Sequence, residues 1–112
     1  MSSRRIQQVN ALIQEELGKI LLKEFEVPPG IMLTITSVDT SSDRDHVVVK
    51  VSIYPNNASS TLFETLTRKQ RYFQHFLNQK LVMEHVPTIH FQLDTLEAHA
   101  EEIERLIDEV SK

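Results

Sequence analysis

The sequence contains no cysteine and only two glycines. Without cysteine, the chain has no disulfide framework, no thiolate zinc site and no cysteine nucleophile. Gly18 and Gly30 do not form a phosphate-binding loop or a dinucleotide fingerprint, because each of those motifs needs several clustered glycines. The longest apolar runs are a few residues, such as Ile20-Leu21-Leu22, so no segment is apolar enough to span a bilayer. These absences exclude the common nucleotide-loop, thiolate and membrane-spanning classes of protein.

The composition is that of one ordinary globular domain, but its charge is unevenly distributed. The 112 residues are 40% hydrophobic and 25% charged, which argues against disorder and against a fibrous protein. Twelve lysines and arginines against sixteen aspartates and glutamates give a net charge of −4. Residues 97–112, with six acids and two bases, account for all of it. Residues 65–83 contain four lysines and arginines and no acid, so the acidic total hides one basic stretch.

The N-terminal segment predicts an amphipathic helix from about residue 3 to about residue 25. Its apolar residues recur at spacings of three and four, at Ile6, Val9, Ile13, Leu17 and Ile20. Gly18 inside this helix costs about 1 kcal/mol against alanine, and close packing against a neighbour is the explanation we expect. Polar and acidic residues interrupt the apolar stretch that a secretory signal peptide needs, and the acids argue against a transit peptide. We therefore expect a cytoplasmic protein.

Three later segments have the pattern of half-buried strands. The first covers residues 31–38 and the second 46–54, and the polar turn between them predicts an antiparallel hairpin. A helical region from Ser59 or Ser60 to Leu81 follows, with a kink or two abutting helices across residues 67–71. The third strand contains Ile89, Phe91 and Leu93. We assign four phenylalanines to the core, because aromatic residues on such faces are usually buried: Phe63, Phe73, Phe76 and Phe91.

The chain is expected to end in an amphipathic helix, with Asp94 and Glu97 at the spacing of a capping box. Its apolar positions are Leu96, Ala100, Ile103, Ile107 and Val110, and its acids make 97–112 an acidic C-terminal helix. The whole order is helix, strand, strand, helix or helix pair, strand, helix. Helices must then cover one face of a three-stranded sheet, so we predict an α+β two-layer sandwich that forms a single domain over residues 1–112.

Neither the histidines nor the serines form a catalytic pattern. The five histidines lie on different predicted elements, without the paired spacing of a metal site. The serines cluster in turns, and no nucleophile elbow is present. We therefore predict no catalytic residue, no metal site, no cofactor and no enzyme activity.

The basic stretch is the most informative feature for function. Arg68, Arg71 and His75 share one face of a continuous helix, and such a row can contact phosphates. Gln74, Asn78 and Tyr72 are placed to add hydrogen bonds or stacking. A solubilising face has the same composition, so both interpretations stay open from these residues. The candidate RNA-binding residues are Arg4, Arg5, Arg68, Lys69, Arg71, His75 and Lys80.

Four segments together resemble the ribosome-binding factor A family of bacterial small-subunit maturation factors. The first is the opening helix, with Arg4-Arg5-Ile6-x-x-Val9-x-x-Leu12-Ile13. The second is the hairpin, with Ile35-Thr36-Ser37-Val38-Asp39-x-Ser41-x-Asp43 and Val47-Val48-Val49-x-Val51-Ser52. The most specific is Leu77-x-x-Lys80-Leu81-x-Met83-x-x-Val86-Pro87-x-Ile89-x-Phe91-x-x-Asp94. The last is His99-Ala100-x-x-Ile103-x-x-Leu106-Ile107.

The resemblance implies a KH-like fold of type II, in the order α-β-β-α-α-β. It also implies non-catalytic binding to the small ribosomal subunit and its rRNA during late maturation and rRNA processing. The family has a helix kink of the form Ala-x-Gly where this sequence has Lys69-Gln70-Arg71, with neither the alanine nor the glycine. We expect a monomer without a membrane partner or small-molecule substrate. The alternative is a protein–protein interaction module without RNA binding, for example a homodimer.

Overall fold

The computed structural model of the protein describes residues 4–94. The predicted acidic helix over 97–112 lies outside the described residues, as does Glu97 of its capping box.

Helix α1 spans Arg4–Glu24 and buries Ile13, Leu17, Ile20 and Leu21, which confirms the predicted face. Gly30, at φ 85°, has the left-handed conformation that favours glycine, and it lies in the turn that leads into the sheet.

The sheet has three strands in the order β1-β2-β3. Strands β1, Met32–Thr40, and β2, His46–Tyr54, pair antiparallel, as predicted. Strand β3, Thr88–Leu93, pairs in parallel with β2. In the central strand, the four predicted inward residues are buried because they lie under the helices on that face: Val47, Val49, Val51 and Ile53.

Strand β1 contains a bulge that the sequence pattern did not predict. Ile35 pairs with Val51 and Ser37 with Lys50, so Thr36 is an extra residue in β1. The simple alternation that starts at Leu33 would turn Val38 toward solvent. The bulge shifts the register by one residue, and Val38 is buried opposite Val49.

Two helices connect β2 to β3 after a short 3-10 turn at Asn56–Ala58. Helix α2 spans Ser59–Arg68 and helix α3 spans Gln70–Lys80. Phe73 is fully buried and makes edge-on contacts with Phe25, at 5.8 Å between ring centroids, and with Phe91, at 6.2 Å. The other three phenylalanines assigned to the core are partly buried against it, which confirms that assignment: Phe63, Phe76 and Phe91.

The helices and the sheet form the two layers that the sequence predicted. The opposite face of the sheet carries exposed residues such as Thr34, His46 and His90. The expectation of close packing at Gly18 is wrong for the part of the chain that the structure describes. A Cβ atom built there meets no other atom within 4 Å.

Candidate nucleic-acid interface

A break between α2 and α3 lies at the centre of the basic stretch. Lys69 leaves the regular helix, with φ −95° and ψ 13°. Its N–H is shared between the carbonyls of Thr65 and Leu66, both at 3.2 Å, and its own carbonyl accepts the N–H of Phe73 at 3.2 Å. The sequence predicted a kink or two abutting helices here, and the structure has two abutting helices separated by one residue. A negative φ is open to any L-residue, so this break requires neither an alanine nor a glycine at residues 69–71.

Two glutamines fix α3 against the edge of β3. The Gln74 amide donates to the carbonyl of Pro87 at 3.1 Å and accepts the N–H of Ile89 at 2.7 Å. The Gln70 amide donates to the carbonyl of Ile89 at 2.8 Å. The orientation of the basic residues at the start of α3 is thus set by hydrogen bonds to the sheet as well as by the burial of Phe73 and Leu77. The sequence pattern did not reveal these contacts.

The three residues expected to assist in RNA contact are engaged with protein groups. Gln74 binds the edge of β3 and also donates to Asn78 at 3.0 Å. The Tyr72 hydroxyl donates to a Glu24 carboxylate oxygen at 2.8 Å, and this hydrogen bond raises the pKa of Tyr72 above its ordinary value. These side chains position α3, and the proposed role of Gln74 in contacting RNA is not supported by its geometry.

The structure brings some of the candidate residues together and separates others. All seven are exposed: Arg4, Arg5, Arg68, Lys69, Arg71, His75 and Lys80. Arg71 and His75 lie one turn apart on α3, and Lys69 is at the break itself. Arg68 ends α2, so the expected continuous row is interrupted between Arg68 and Arg71.

The remaining candidates are further away. Lys80 ends α3, about 15 Å along the helix axis from its first residue. Arg4 and Arg5 begin α1, whose other end contacts α3 through Glu24 and Tyr72. The length of α1 places the two arginines about 30 Å from that contact. The exposed candidates at the break between α2 and α3 are therefore Arg68, Lys69, Arg71 and His75, which we call the break cluster.

The break cluster is positively charged and carries little internal compensation. The Arg68 guanidinium lies 3.2 Å from the Glu64 carboxylate, and both side chains are more than 70% exposed. Such an exposed ion pair contributes about 0–1 kcal/mol, so a phosphate can compete for the arginine at low cost. His75 contacts Gln79 at 3.3 Å between Nε2 atoms. The first turn of α3 contains no acid that would oppose an approaching anion.

Residues 4–94 show no arrangement that suggests metal chemistry. No group of three or more histidines, aspartates or glutamates in this range could hold a metal ion. His46 and His90, predicted on separate elements, face each other across β2 and β3, with Nδ1 and Nε2 2.9 Å apart. His85 lies 3.1 Å from Asp45. Among the same residues, no helix is long and apolar enough to cross a membrane.

Comparison with solved structures identifies the fold. A ribosome-binding factor A from Thermus thermophilus aligns with a TM-score of 0.68 at 18% identity, over 79% of this chain and 94% of that one. A Thermotoga maritima protein described as a ribosome-binding factor A aligns with a TM-score of 0.65 at 25% identity, over 82% and 89%. The α+β architecture with its three-stranded mixed sheet is therefore the KH-like fold of these factors, as predicted.

Sequence comparison identifies the family. The family model for ribosome-binding factor A matches residues 5–107. The ribosome-binding factor A of Chlamydia pneumoniae is 31% identical over 98% of this chain and 94% of its own length. That of Alkalilimnicola ehrlichii is 34% identical over 94% and 82%. The chain belongs to the ribosome-binding factor A family, which confirms the resemblance and places it among ribosome-binding factors and not among enzymes.

Proposed function

We propose that the protein binds the small ribosomal subunit through its rRNA during late maturation, and that the break cluster is the principal phosphate contact. The observation that carries this proposal is the exposed group of cations at the α2–α3 break, held in place by the glutamines of α3. A Thermus thermophilus factor of the same fold, at 20% identity and a TM-score of 0.64, was fitted into a map of a complex with the 30S subunit. That complex supports the small subunit as the partner of this chain.

In this proposal, Arg4 and Arg5 make a second phosphate contact at the far end of α1, and Lys80 extends the first along α3. Seven basic groups on a chain of net charge −4 are too few for tight non-specific binding at cellular salt. Affinity then depends on the shape of a folded RNA that presents phosphates to both places. The protein would act as a cytoplasmic monomer without catalysis, because preferential binding to one rRNA conformation suffices to shift the population toward it. This binding would promote rRNA processing.

The alternative is a protein–protein module that dimerises through a sheet edge. An edge strand pairs with another strand through its outward N–H and C=O groups. Both outward groups of Ile89 in β3 are already bonded to α3 side chains. This contact opposes pairing along the first part of β3 and favours the RNA-binding proposal.

The test is co-sedimentation with mature and immature small subunits across a salt series. We expect preference for the immature particle and binding that weakens as salt rises, because phosphate contacts release counterions. Arg68→Glu with Arg71→Glu should reduce affinity about tenfold or more at low salt and reduce the salt dependence by about two phosphate contacts. Circular dichroism should show an unchanged fold, because both side chains are exposed.

The matched control is Lys19→Glu with Lys23→Glu on α1, which changes the net charge by the same amount. Both lysines are exposed and lie outside the break cluster. If the two double variants bind equally weakly, the effect is one of total charge and the break cluster is not the site. Full binding by the Arg68/Arg71 variant would exclude the site directly.

A further inference from the structure

An apolar groove lies between the second half of α1 and the first half of β1. It has a volume of about 900 Å³. Neither the break cluster nor the arginines at the start of α1 line it, so the role of the groove is independent of the proposed RNA site. Its apolar walls are formed by Leu21, Leu22, Phe25, Val27, Leu33 and Ile35.

Contacts within residues 4–94 explain neither the exposure of Leu22 nor the presence of a glycine at position 18. Leu22 is 90% exposed although it lies on the wall of an apolar groove. Gly18 also lines the groove, and a Cβ atom there would point into open space. A glycine in the interior of a helix is destabilising, and a partner that approaches the helix closely at this point accounts for it. Both residues therefore indicate that something covers the groove.

We propose that the chain's own C-terminal segment, residues 95–112, occupies this groove as an amphipathic helix. Its apolar residues are spaced by four, three, four and three positions, which places them on one helix face. Ala100 gives this face a small residue, as a close approach to Gly18 requires. The apolar positions of the segment are Leu96, Ala100, Ile103, Ile107 and Val110.

The chain leaves the described structure close to the groove. Asp94 donates its N–H to the carbonyl of Val51 at 2.8 Å, so β3 ends beside Val51. Val51 in turn pairs with Ile35, which is part of the groove wall. Adjacent strands are about 4.8 Å apart, so the exit point lies about two strand spacings from the groove.

The length of the C-terminal segment also agrees with the length of the groove. Residues 95–112 would form a helix of at most about 27 Å, and the groove wall from Gln14 to Lys23 rises about 14 Å along α1. A few residues therefore remain for the turn around the end of the sheet. The groove lining includes both Lys23 and Glu26, so charge does not select the occupant. The occupant is selected by the match between the apolar walls of the groove and the apolar face of the segment. The six acids of the segment stay in solvent on its other face.

The test is a double-mutant cycle on thermal unfolding of the full chain, with Leu22→Asp on the groove and Ile107→Asp on the segment. Each single variant should lower the Tm by about 4 °C or more, because each places a carboxylate in an apolar contact. The double variant should unfold at nearly the same temperature as the worse single variant, because the same contact cannot be broken twice. The control is Val82→Asp, since Val82 is fully exposed and does not line the groove.

Each result decides the proposal. Non-additive decreases in Tm that do not depend on protein concentration support it. If Leu22→Asp shifts the Tm no more than Val82→Asp does, the groove is empty and the proposal is wrong. If Leu22→Asp has an effect and Ile107→Asp has none, the segment is not the occupant. A Tm that rises with protein concentration, together with a dimer mass by light scattering, would assign the groove to a second copy of the chain and overturn the proposal.

Discussion

The two edges of the sheet are both contacted by amide side chains from helices, but to different extents. At β3, Gln70 and Gln74 bind both backbone groups of Ile89 and the carbonyl before the strand. At β1, Asn10 of α1 accepts the N–H of Thr40 at 2.9 Å and its hydroxyl at 2.6 Å. The amides of α3 act at the start of β3, whereas the amide of α1 acts at the end of β1. Only the first half of β1, at residues 33–35, borders the apolar groove.

The difference shows how a three-stranded sheet can be fixed at one edge and adaptable at the other. Edge N–H and C=O groups must find partners or they invite pairing with other chains. Next to β3, the partners are short, directed hydrogen bonds that also orient the basic start of α3. Next to β1, the strand contains a bulge and faces a groove with space for another element. The candidate RNA site therefore belongs to the more constrained edge.

Deleting one residue from each edge strand is the strongest way to test this comparison. Deletion of His90 from β3 should turn Phe91 and Leu93, or Ile89, away from the core, because side chains alternate between faces. The loss of burial should cost at least about 3 kcal/mol of the free energy of unfolding. Urea unfolding monitored by circular dichroism measures it.

Deletion of Thr36 from β1 is the matched control. Without Thr36, Ser37 and Val38 still pair with Lys50 and Val49, and the strand alternates regularly. The deletion removes mainly the weak hydrogen bond from the Thr36 hydroxyl to the Lys50 carbonyl, at 3.3 Å. We expect a change below about 1 kcal/mol in the free energy of unfolding. If both deletions unfold the protein, the bulge is essential and β1 is as constrained as β3.

Removing the amide of Gln74 should have the next largest effect. Gln74→Met keeps the length of the side chain but leaves the Ile89 N–H and the Pro87 carbonyl without this partner. An unsatisfied, partly buried backbone group costs about 1–3 kcal/mol, so we expect a loss of this size in the free energy of unfolding. Subunit binding by the folded fraction should also weaken, because the start of α3 loses a constraint.

Gln79→Met is the control for this substitution. Gln79 is an exposed glutamine on the same helix, and its amide contacts the His75 ring. Its replacement should change stability by less than about 0.5 kcal/mol. Equal stability of the two variants would show that the hydrogen bonds of Gln74 to β3 contribute nothing net and that packing alone holds α3.

The sequence predicted the elements of both edges well and their side-chain contacts poorly. Strand β2 was predicted with its observed bounds, because its four inward aliphatic residues alternate without interruption. The bulge at Thr36 was missed, since a polar pair within a strand can also indicate a strand end. The long-range bonds of Gln70 and Gln74 leave no periodic signal, because they depend on the packing of α3 against β3. The same holds for the pair His46 and His90, which the parallel register of β2 and β3 brings together.

At the candidate RNA site, the sequence predicted which basic residues are present but not which of them lie together in the structure. The absence of acids from 65–83 identified the basic stretch, and the family resemblance located the kink. Helical spacing assumed one continuous helix, whereas the break at Lys69 separates Arg68 from Arg71. The distance of Arg4 and Arg5 from the break follows from the packing of α1 on α3, which requires the tertiary structure.

The turn that joins β1 to β2 offers the smallest and most local test. The Ser41 hydroxyl and the Asp45 N–H both donate to the Asp43 carboxylate, the latter at 3.0 Å. These bonds hold the pKa of Asp43 below its ordinary value of 3.8, with the Ser41 hydroxyl as the largest cause. Because the folded pKa is the lower one, the carboxylate stabilises the fold above the unfolded pKa, and this contribution is lost as pH falls through the folded pKa.

Ser41→Ala should therefore move the pKa of Asp43 upward toward 3.8, as measured by NMR titration of its side-chain carbonyl. A pKa of Asp43 that does not move would mean that the Asp45 N–H alone fixes the turn, and that β1 is joined to β2 by backbone geometry without help from the serine.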